Sequence, residues 1–134
     1  MKQIIPLFIG AATLICSPVS IAAEQKAFSQ AQICRATIGT VMGRDPKIVK
    51  IDKVDADDIY TSYRRKDDGT QWSNRCRVDV TRVYWATPTG RWRVHPLDEV
   101  ITYSVTPTTL TIHRKFNDGS SLAKSYTHAQ LGAK

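Results

Sequence analysis

The sequence predicts an α+β fold in which one N-terminal helix packs on a meandering antiparallel sheet of about seven strands, with one disulfide. Three observations support this prediction. Residues 29–42 carry an apolar stripe with the period of an α-helix. After Pro46, short alternating segments rich in β-branched and aromatic residues are separated by turn residues. Two cysteines, Cys34 and Cys76, lie in the helical segment and in one of the alternating segments.

Residues 1–23 have the pattern of a cleavable secretory signal. Lys2 precedes an apolar run from Ile4 to Ile15, and small residues lead to cleavage after Ala22 or Ala23. The run is shorter than the roughly 20 apolar residues that a membrane-spanning helix needs. We therefore expect a protein that does not span the membrane and that is periplasmic or secreted through a bacterial-type export route.

Removal of this signal determines what remains of the chain. Residues 24–134 are enough for a single globular domain. Cys16 leaves with the signal, so Cys34 and Cys76 remain in an oxidising compartment, where they are expected to pair. Lys2 is the only charged residue removed, which lowers the formal net charge from +7 to +6. Such a charge favours anionic partners.

The helix has recognisable signals at both ends. Ser29 is a favourable N-cap, and Gln32 three residues later completes the pattern of a capping box. Gly43 follows the last residue of the apolar stripe and suits a left-handed C-cap. These signals predict one amphipathic helix over residues 29–42, with Cys34 on its buried side.

The strands are separated by turn signals. Asp68-Gly69 and Asn117-Asp118-Gly119 have the composition of tight hairpin turns. Residues 87–98 form the one long irregular segment. The predicted strands are residues 48–53, 59–65, 71–79, 82–86, 99–105, 110–116 and 122–127.

Alternation along the third strand predicts which side chains face the helix, because successive residues of a strand point to opposite faces. If Cys76 bonds to Cys34, its side of the strand faces inward. That side also contains Trp72, Asn74 and Val78, whereas the outward side contains Ser73, Arg75, Arg77 and Asp79. By the same pattern, inward positions on other strands are Val49, Ile51, Val83, Trp85, Leu110 and Ile112.

Arginines alternate with aromatic residues through the middle of the chain, a combination common at recognition surfaces. The predicted binding residues are Arg75, Arg77, Arg82, Tyr84, Arg91, Trp92 and Arg93. Two simpler interpretations remain open. The arginine stems can cover an ordinary exposed sheet face, and Trp92 can fold back as a lid on the core.

Enzymatic signatures are scarce in this sequence. It contains no phosphate-binding loop, no His-Glu-x-x-His, no Cys-x-x-Cys and no Gly-x-Ser-x-Gly. The three histidines lack the paired spacing of metal ligands, and Asp55, Asp57 and Asp58 fit a solvated turn better than a calcium loop. No cofactor or metal is therefore expected.

Three functions remain as expectations. The first is a non-catalytic binding or inhibitory module that contacts an anionic envelope component or an acidic protein, rather than nucleic acid. The second is a small secreted ribonuclease-like hydrolase that uses Glu99, His95 and His113 with an arginine, either Arg77 or Arg82. The third is a structural component of an envelope complex that pairs through an exposed edge strand, residues 48–53, although its lysines oppose uncontrolled pairing.

Overall fold

The computed structural model describes residue 10 and residues 27–132. The predicted signal segment, its cleavage position and Cys16 lie outside the described residues, so the signal stays a prediction. Within the described residues, no helix has the length and apolar character needed to cross a membrane.

The N-terminal helix α1 spans Gln30–Met42 and begins and ends where the sequence predicts. The Ser29 hydroxyl accepts a hydrogen bond from the backbone N–H of Gln32, and the Gln32 side chain accepts one from the backbone N–H of Ser29. At the other end Gly43 adopts φ 65°, and its N–H donates to the carbonyl groups of Gly39 and Thr40. The capping box and the left-handed C-cap are both confirmed.

Seven antiparallel strands follow, as the sequence predicts, and their ends lie within two residues of the expected positions. They are β1 Lys50–Asp55, β2 Asp58–Arg64, β3 Gln71–Val78, β4 Val83–Ala86, β5 Val100–Val105, β6 Thr109–Lys115 and β7 Ser121–Thr127. The first strand begins later than expected because Pro46–Ile48 form a 3-10 turn, which Asp45 caps. A short helix α2, His128–Leu131, ends the described chain and was not predicted.

The strands form two sheets rather than one continuous sheet. Strands β1 to β4 make the first sheet in sequence order, and β5 to β7 make the second. A single isolated bridge, between Arg82 and Thr102, connects them. The division falls at the irregular segment 87–98, which contains Pro88 and Pro96 and separates the short strand β4 from β5. Proline lacks the N–H that a continuous ladder needs at each such position.

One hydrophobic core joins α1 to both sheets, and the Cys34–Cys76 disulfide crosses it. Both cysteines are fully buried, and their Cα atoms are 5.9 Å apart. The largest cluster combines residues of α1, of the first sheet and of the second sheet, including Ile33, Ile59 and Ile112. The disulfide and the antiparallel architecture are therefore as the sequence predicts.

The inward positions are correct except for Trp72. Val49, Val83, Leu110 and Ile112 are buried, and Ile51 and Trp85 are partly buried against the core. Trp72, in contrast, is 46% exposed. It lies beside the β2–β3 turn, where its indole N–H donates to the Thr70 hydroxyl and its ring lies 5.7 Å from the Arg65 guanidinium. The inward prediction for Trp72 is wrong because this end of the hairpin is solvated.

Strand β1 is an edge of the first sheet, as the meander predicts. Its pairing with β2 shifts register between Ile51 and Lys53. Lys50, Lys53 and the intervening Asp52 are exposed. A bulge and charged side chains both disfavour the addition of a further strand.

The C-terminal segment packs on the start of α1. The Phe28 and His128 rings stack with centroids 4.0 Å apart. Gln32 donates from its side-chain amide to the Gly132 carbonyl, and Arg35 donates to the Leu131 carbonyl. Leu131 is fully buried in the main cluster.

The segment after α1 approaches the helix closely at Gly39. A Cβ at this position would lie 2.9 Å from the Arg44 carbonyl oxygen and 3.2 Å from the Pro46 Cα. Only a residue without a side chain permits that approach. Gly39 therefore determines where residues 44–47 sit relative to the helix.

Candidate binding surface

Trp92 packs on the outer face of β3 and does not belong to the hydrophobic core. The Arg75 guanidinium lies 4.3 Å from the centre of its ring, and the Arg77 guanidinium lies 5.0 Å away. Guanidinium groups at these distances interact favourably with the face of an indole. The interpretation of Trp92 as a lid on the core is therefore wrong, and the outward direction of Arg75 and Arg77 is as predicted.

Both arginines are already engaged within the protein. Arg77 forms an ion pair with Asp58, with 2.6 Å between Nη2 and Oδ1, and the Arg75 Nη1 lies 4.0 Å from the other carboxylate oxygen. Arg75 also donates to the carbonyl groups of Thr87 and Gly90, at 3.2 Å and 2.6 Å. Arg75 thus anchors the irregular segment 87–98, and Asp58 neutralises part of the charge expected on this face.

A groove of about 560 Å³ opens beside Trp92. We call it the tryptophan groove, and the side chains that define its character are Asp57, Arg77, Asp79, Tyr84, Trp92 and Val94. Tyr84 pairs with Arg77 across β3 and β4, which places both side chains on the outer face. The groove is thus aromatic, with two carboxylates and one arginine that is already paired.

The other three predicted arginines are distributed differently. Arg82 lies 4.9 Å from the Tyr84 ring, which keeps it beside the groove. Arg93 lies 5.0 Å from the ring of Trp85, the inward-facing neighbour of Tyr84 on β4. Arg91 pairs with Asp98 through two hydrogen bonds of 2.7 Å and 3.3 Å. The seven predicted binding residues therefore do not form one continuous basic surface.

The Arg91–Asp98 pair also affects protonation. The hydrogen bond from Arg91 is the main cause that lowers the pKa of Asp98 from its ordinary value, and the backbone N–H of His95 contributes in the same direction. The same hydrogen bond raises the pKa of Arg91. Asp98 therefore remains ionised to a lower pH than a free aspartate, and the irregular segment 87–98 is linked internally by this charge pair.

The residues of the ribonuclease hypothesis each have other partners. Glu99 is held by Arg114 through bonds of 2.6 Å and 3.1 Å. His113 lies next to Arg114 on β6, so its side chain points to the opposite face, where Nε2 contacts the Ser104 hydroxyl at 3.1 Å. The His95 Nδ1 accepts from the backbone N–H of Leu97. Within residues 27–132, no hydrogen bond or ion pair joins these three candidates to one another.

No group of three or more histidine, cysteine or acidic residues suited to a metal ion occurs in the described part of the chain. Asp58, one of the three turn aspartates, is committed to Arg75 and Arg77. Asp55 and Asp57 are exposed, in agreement with a solvated turn.

A second hollow, which the sequence did not predict, lies where the segment after α1 meets β7 and α2. Its volume is about 540 Å³. We call it the basic pocket, and its polar lining consists of Arg44, Asp45, Lys47, Lys124, Tyr126 and Gln130. The only local signal in the sequence was the pair of basic residues that follows the helix, because Lys124 comes from a strand far along the chain.

Comparisons with known proteins give no relative from which a function can be transferred. No family model matches the chain, and neither a curated protein nor a solved structure matches it. The two hollows and their side chains are therefore the features that indicate a function.

Proposed function

We propose that this protein is an exported, non-catalytic binding or inhibitory module, and that its tryptophan groove holds part of an envelope protein. One observation carries the proposal. Trp92 packs against Arg75 and Arg77 beside an open groove. A solvent-facing loop position does not require so large an apolar side chain. Tryptophan, tyrosine and arginine are the residues most enriched at the centres of protein interfaces.

The surroundings of Trp92 favour a protein partner over a simple anion. Val94, which lines the groove with Tyr84 and Trp92, is 53% exposed. Apolar exposure beside aromatic rings provides area for hydrophobic contact. Asp57 and Asp79 repel a purely anionic ligand and suit a segment that carries a basic group as well as an apolar one.

The arrangement of Trp92 also lowers the entropic cost of association. Arg75 fixes the irregular segment through hydrogen bonds to two of its backbone carbonyl groups. The ion pair between Arg91 and Asp98 links the segment internally. A side chain that is held in place before binding loses less freedom when a partner arrives. The buried disulfide is the type of crosslink that persists in the oxidising compartments outside the cytoplasm, which supports the proposed location.

A photo-crosslinking experiment tests this proposal. A photoreactive residue replaces Val94 beside the groove, and in a matched control it replaces Leu122, which is 60% exposed on the second sheet. Illumination in the protein's own envelope is expected to give one defined adduct with the probe at Val94 and none at Leu122. The Trp92→Ala change should abolish the Val94 adduct, whereas Trp72→Ala should leave it intact.

Equal adducts from both positions would contradict the proposal. So would a Val94 adduct that persists in the Trp92→Ala protein while its circular dichroism spectrum remains unchanged.

A further inference from the structure

We infer that the basic pocket is a binding site for a phosphate group, independent of the tryptophan groove. Three cationic side chains from two distant parts of the chain line it: Arg44 and Lys47 follow α1, and Lys124 lies on β7. Arginine and lysine form strong charge-assisted hydrogen bonds with phosphate oxygens.

The cations of this pocket have no ion-pair partner in the part of the chain that the structure describes. Among the described residues, Arg44, Lys47 and Lys124 form no salt bridge, whereas Arg65, Arg75, Arg77, Arg91 and Arg114 all do. The one carboxylate in the lining, Asp45, accepts a hydrogen bond from the backbone N–H of Lys47, which is its capping role. Three cations against one committed carboxylate leave a local excess of positive charge.

Arg44 lines the pocket with a partly buried side chain. Its Nε is buried from solvent and has no hydrogen-bond partner among residues 27–132. A buried donor without a partner costs free energy unless a ligand or water satisfies it. A ligand in the pocket cannot reach an atom that is closed to solvent, so we expect the terminal nitrogens of this guanidinium to contact the phosphate group.

The remaining lining fits a small oxyanion rather than an apolar ligand. The Tyr126 hydroxyl is 2.7 Å from the Thr40 hydroxyl, which fixes the ring that forms one wall. Lys124 lies 5.6 Å from the centre of that ring, so its ammonium group is held near the pocket. The carbonyl groups of Gly39 and Thr40 at the end of α1 already accept bonds from Gly43 and Arg44, which limits their repulsion of an anion.

The pocket is large enough for a ligand bigger than free phosphate. A volume of about 540 Å³ exceeds the needs of one phosphate group, so the group can belong to a larger molecule. Free phosphate and the phosphodiester of a lipid headgroup share the chemistry that these three cations recognise. An experiment with two arms distinguishes the two sources.

In the first arm, inorganic phosphate is titrated into the purified, disulfide-bonded protein at constant ionic strength, with chloride as the control anion. Backbone amide signals of Gly43, Lys47 and Gln130 are expected to shift in NMR spectra with phosphate and not with chloride. The double change Lys47→Gln and Lys124→Gln should weaken binding at least about tenfold, because each lost cation removes a charge-assisted contact. The matched control, Lys66→Gln with Lys115→Gln, removes the same charge elsewhere and should change binding less than twofold.

In the second arm, the protein is sedimented with phosphatidylcholine vesicles that contain or lack phosphatidylglycerol. Binding that requires phosphatidylglycerol and disappears in the Lys47→Gln, Lys124→Gln protein identifies the phosphodiester of an anionic lipid, whose charge no choline group offsets, as a ligand. Phosphate-induced shifts without vesicle binding identify a soluble phosphate ligand, and either result supports the site. The proposal is overturned if both arms are negative, or if the double variant and the control variant bind equally. The Val94 adduct is unaffected by these outcomes, so this proposal and the proposed function fail separately.

Discussion

The tryptophan groove and the basic pocket have nearly the same volume, about 560 Å³ and about 540 Å³, but opposite electrostatic character. The groove lies in the part of the chain where arginines are densest, yet Asp58 and the Trp92 ring already engage Arg77, which lines the groove, and the neighbouring Arg75. The pocket is lined by Arg44, Lys47 and Lys124, which form no salt bridge with any other described residue. The number of arginines in a segment therefore does not measure the positive charge that the segment offers to a ligand.

Removal of the disulfide should have the largest effect, because the bond joins α1, whose end borders the pocket, to β3, which carries the groove arginines. The Cys34→Ala, Cys76→Ala protein should lose about 4 kcal/mol of unfolding free energy, the value for a closed loop of this length. The separation of the two cysteines is 42 residues. Urea denaturation measures the loss, and a reductant should have no further effect on this variant. An unchanged urea midpoint would contradict the prediction.

Gly39→Ala should disturb the pocket and leave the groove intact. Alanine favours a helix over glycine by up to about 1 kcal/mol, but the new Cβ would lie 2.9 Å from the Arg44 carbonyl oxygen. Overpacking of this kind should outweigh the gain and give a net loss of about 2 kcal/mol. Phosphate binding should weaken, while the Val94 crosslink should persist.

Gly119→Ala is the matched control, since this glycine has φ 88° in a distant turn with open space around it. It should cost stability through backbone strain alone and leave phosphate binding unchanged. A stabilised Gly39→Ala protein would show that the segment after α1 moves away without cost.

Asp58→Asn should make part of the groove more positively charged, as the basic pocket is. The change removes the partner of Arg77, and the Asp58 carboxylate is only 17% exposed, so we expect a loss of about 1 kcal/mol in urea denaturation. The released arginines should also give phosphate-dependent NMR shifts along β3. Asp55→Asn is the control, because Asp55 is exposed at the end of β1. Loss of stability without new shifts would mean that Trp92 alone keeps the arginines from an anion.

The smallest expected effect concerns pH. The pKa of Asp98 lies below its ordinary value of 3.8, mainly through the hydrogen bond from Arg91. A lowered folded-state pKa means that the pair stabilises the segment above the unfolded-state pKa, and that this contribution disappears as pH falls through the folded-state value. NMR titration of the Asp98 carboxyl should show the depression, and Arg91→Gln should raise the midpoint. Identical midpoints in the two proteins would contradict this cause.

The features that the sequence predicted well are local ones. Ser29, Gln32 and Gly43 act within one turn of their own position, so the ends of α1 could be read directly. The strand boundaries depended on nearby turn residues and were similarly close. The short helix α2 carries the same kind of signal, a capping box between Thr127 and Gln130, and was predictable from it.

The features that the sequence did not predict depend on distant contacts. The ion pair between Asp58 and Arg77 and the approach of Lys124 to Lys47 join residues from different elements. The division into two sheets depends on how β4 and β5 diverge around residues 87–98, which composition alone does not determine. Candidate binding residues could therefore be proposed from the sequence, but their pairing, and hence their available charge, could not.

The contact between Phe28 and His128 has a consequence for the order of folding. The helix is among the first described segments to be synthesised, yet it packs against Leu131 and bonds to Gly132 at the opposite end of the described chain. Contacts between residues so far apart in sequence slow folding, because closing the long intervening loop costs chain entropy before the contact stabilises the fold. The apolar side of the helix is therefore fully covered only after the last strand and α2 have docked on it. A chain truncated before residue 128 should expose that side of the helix to chaperones and proteases.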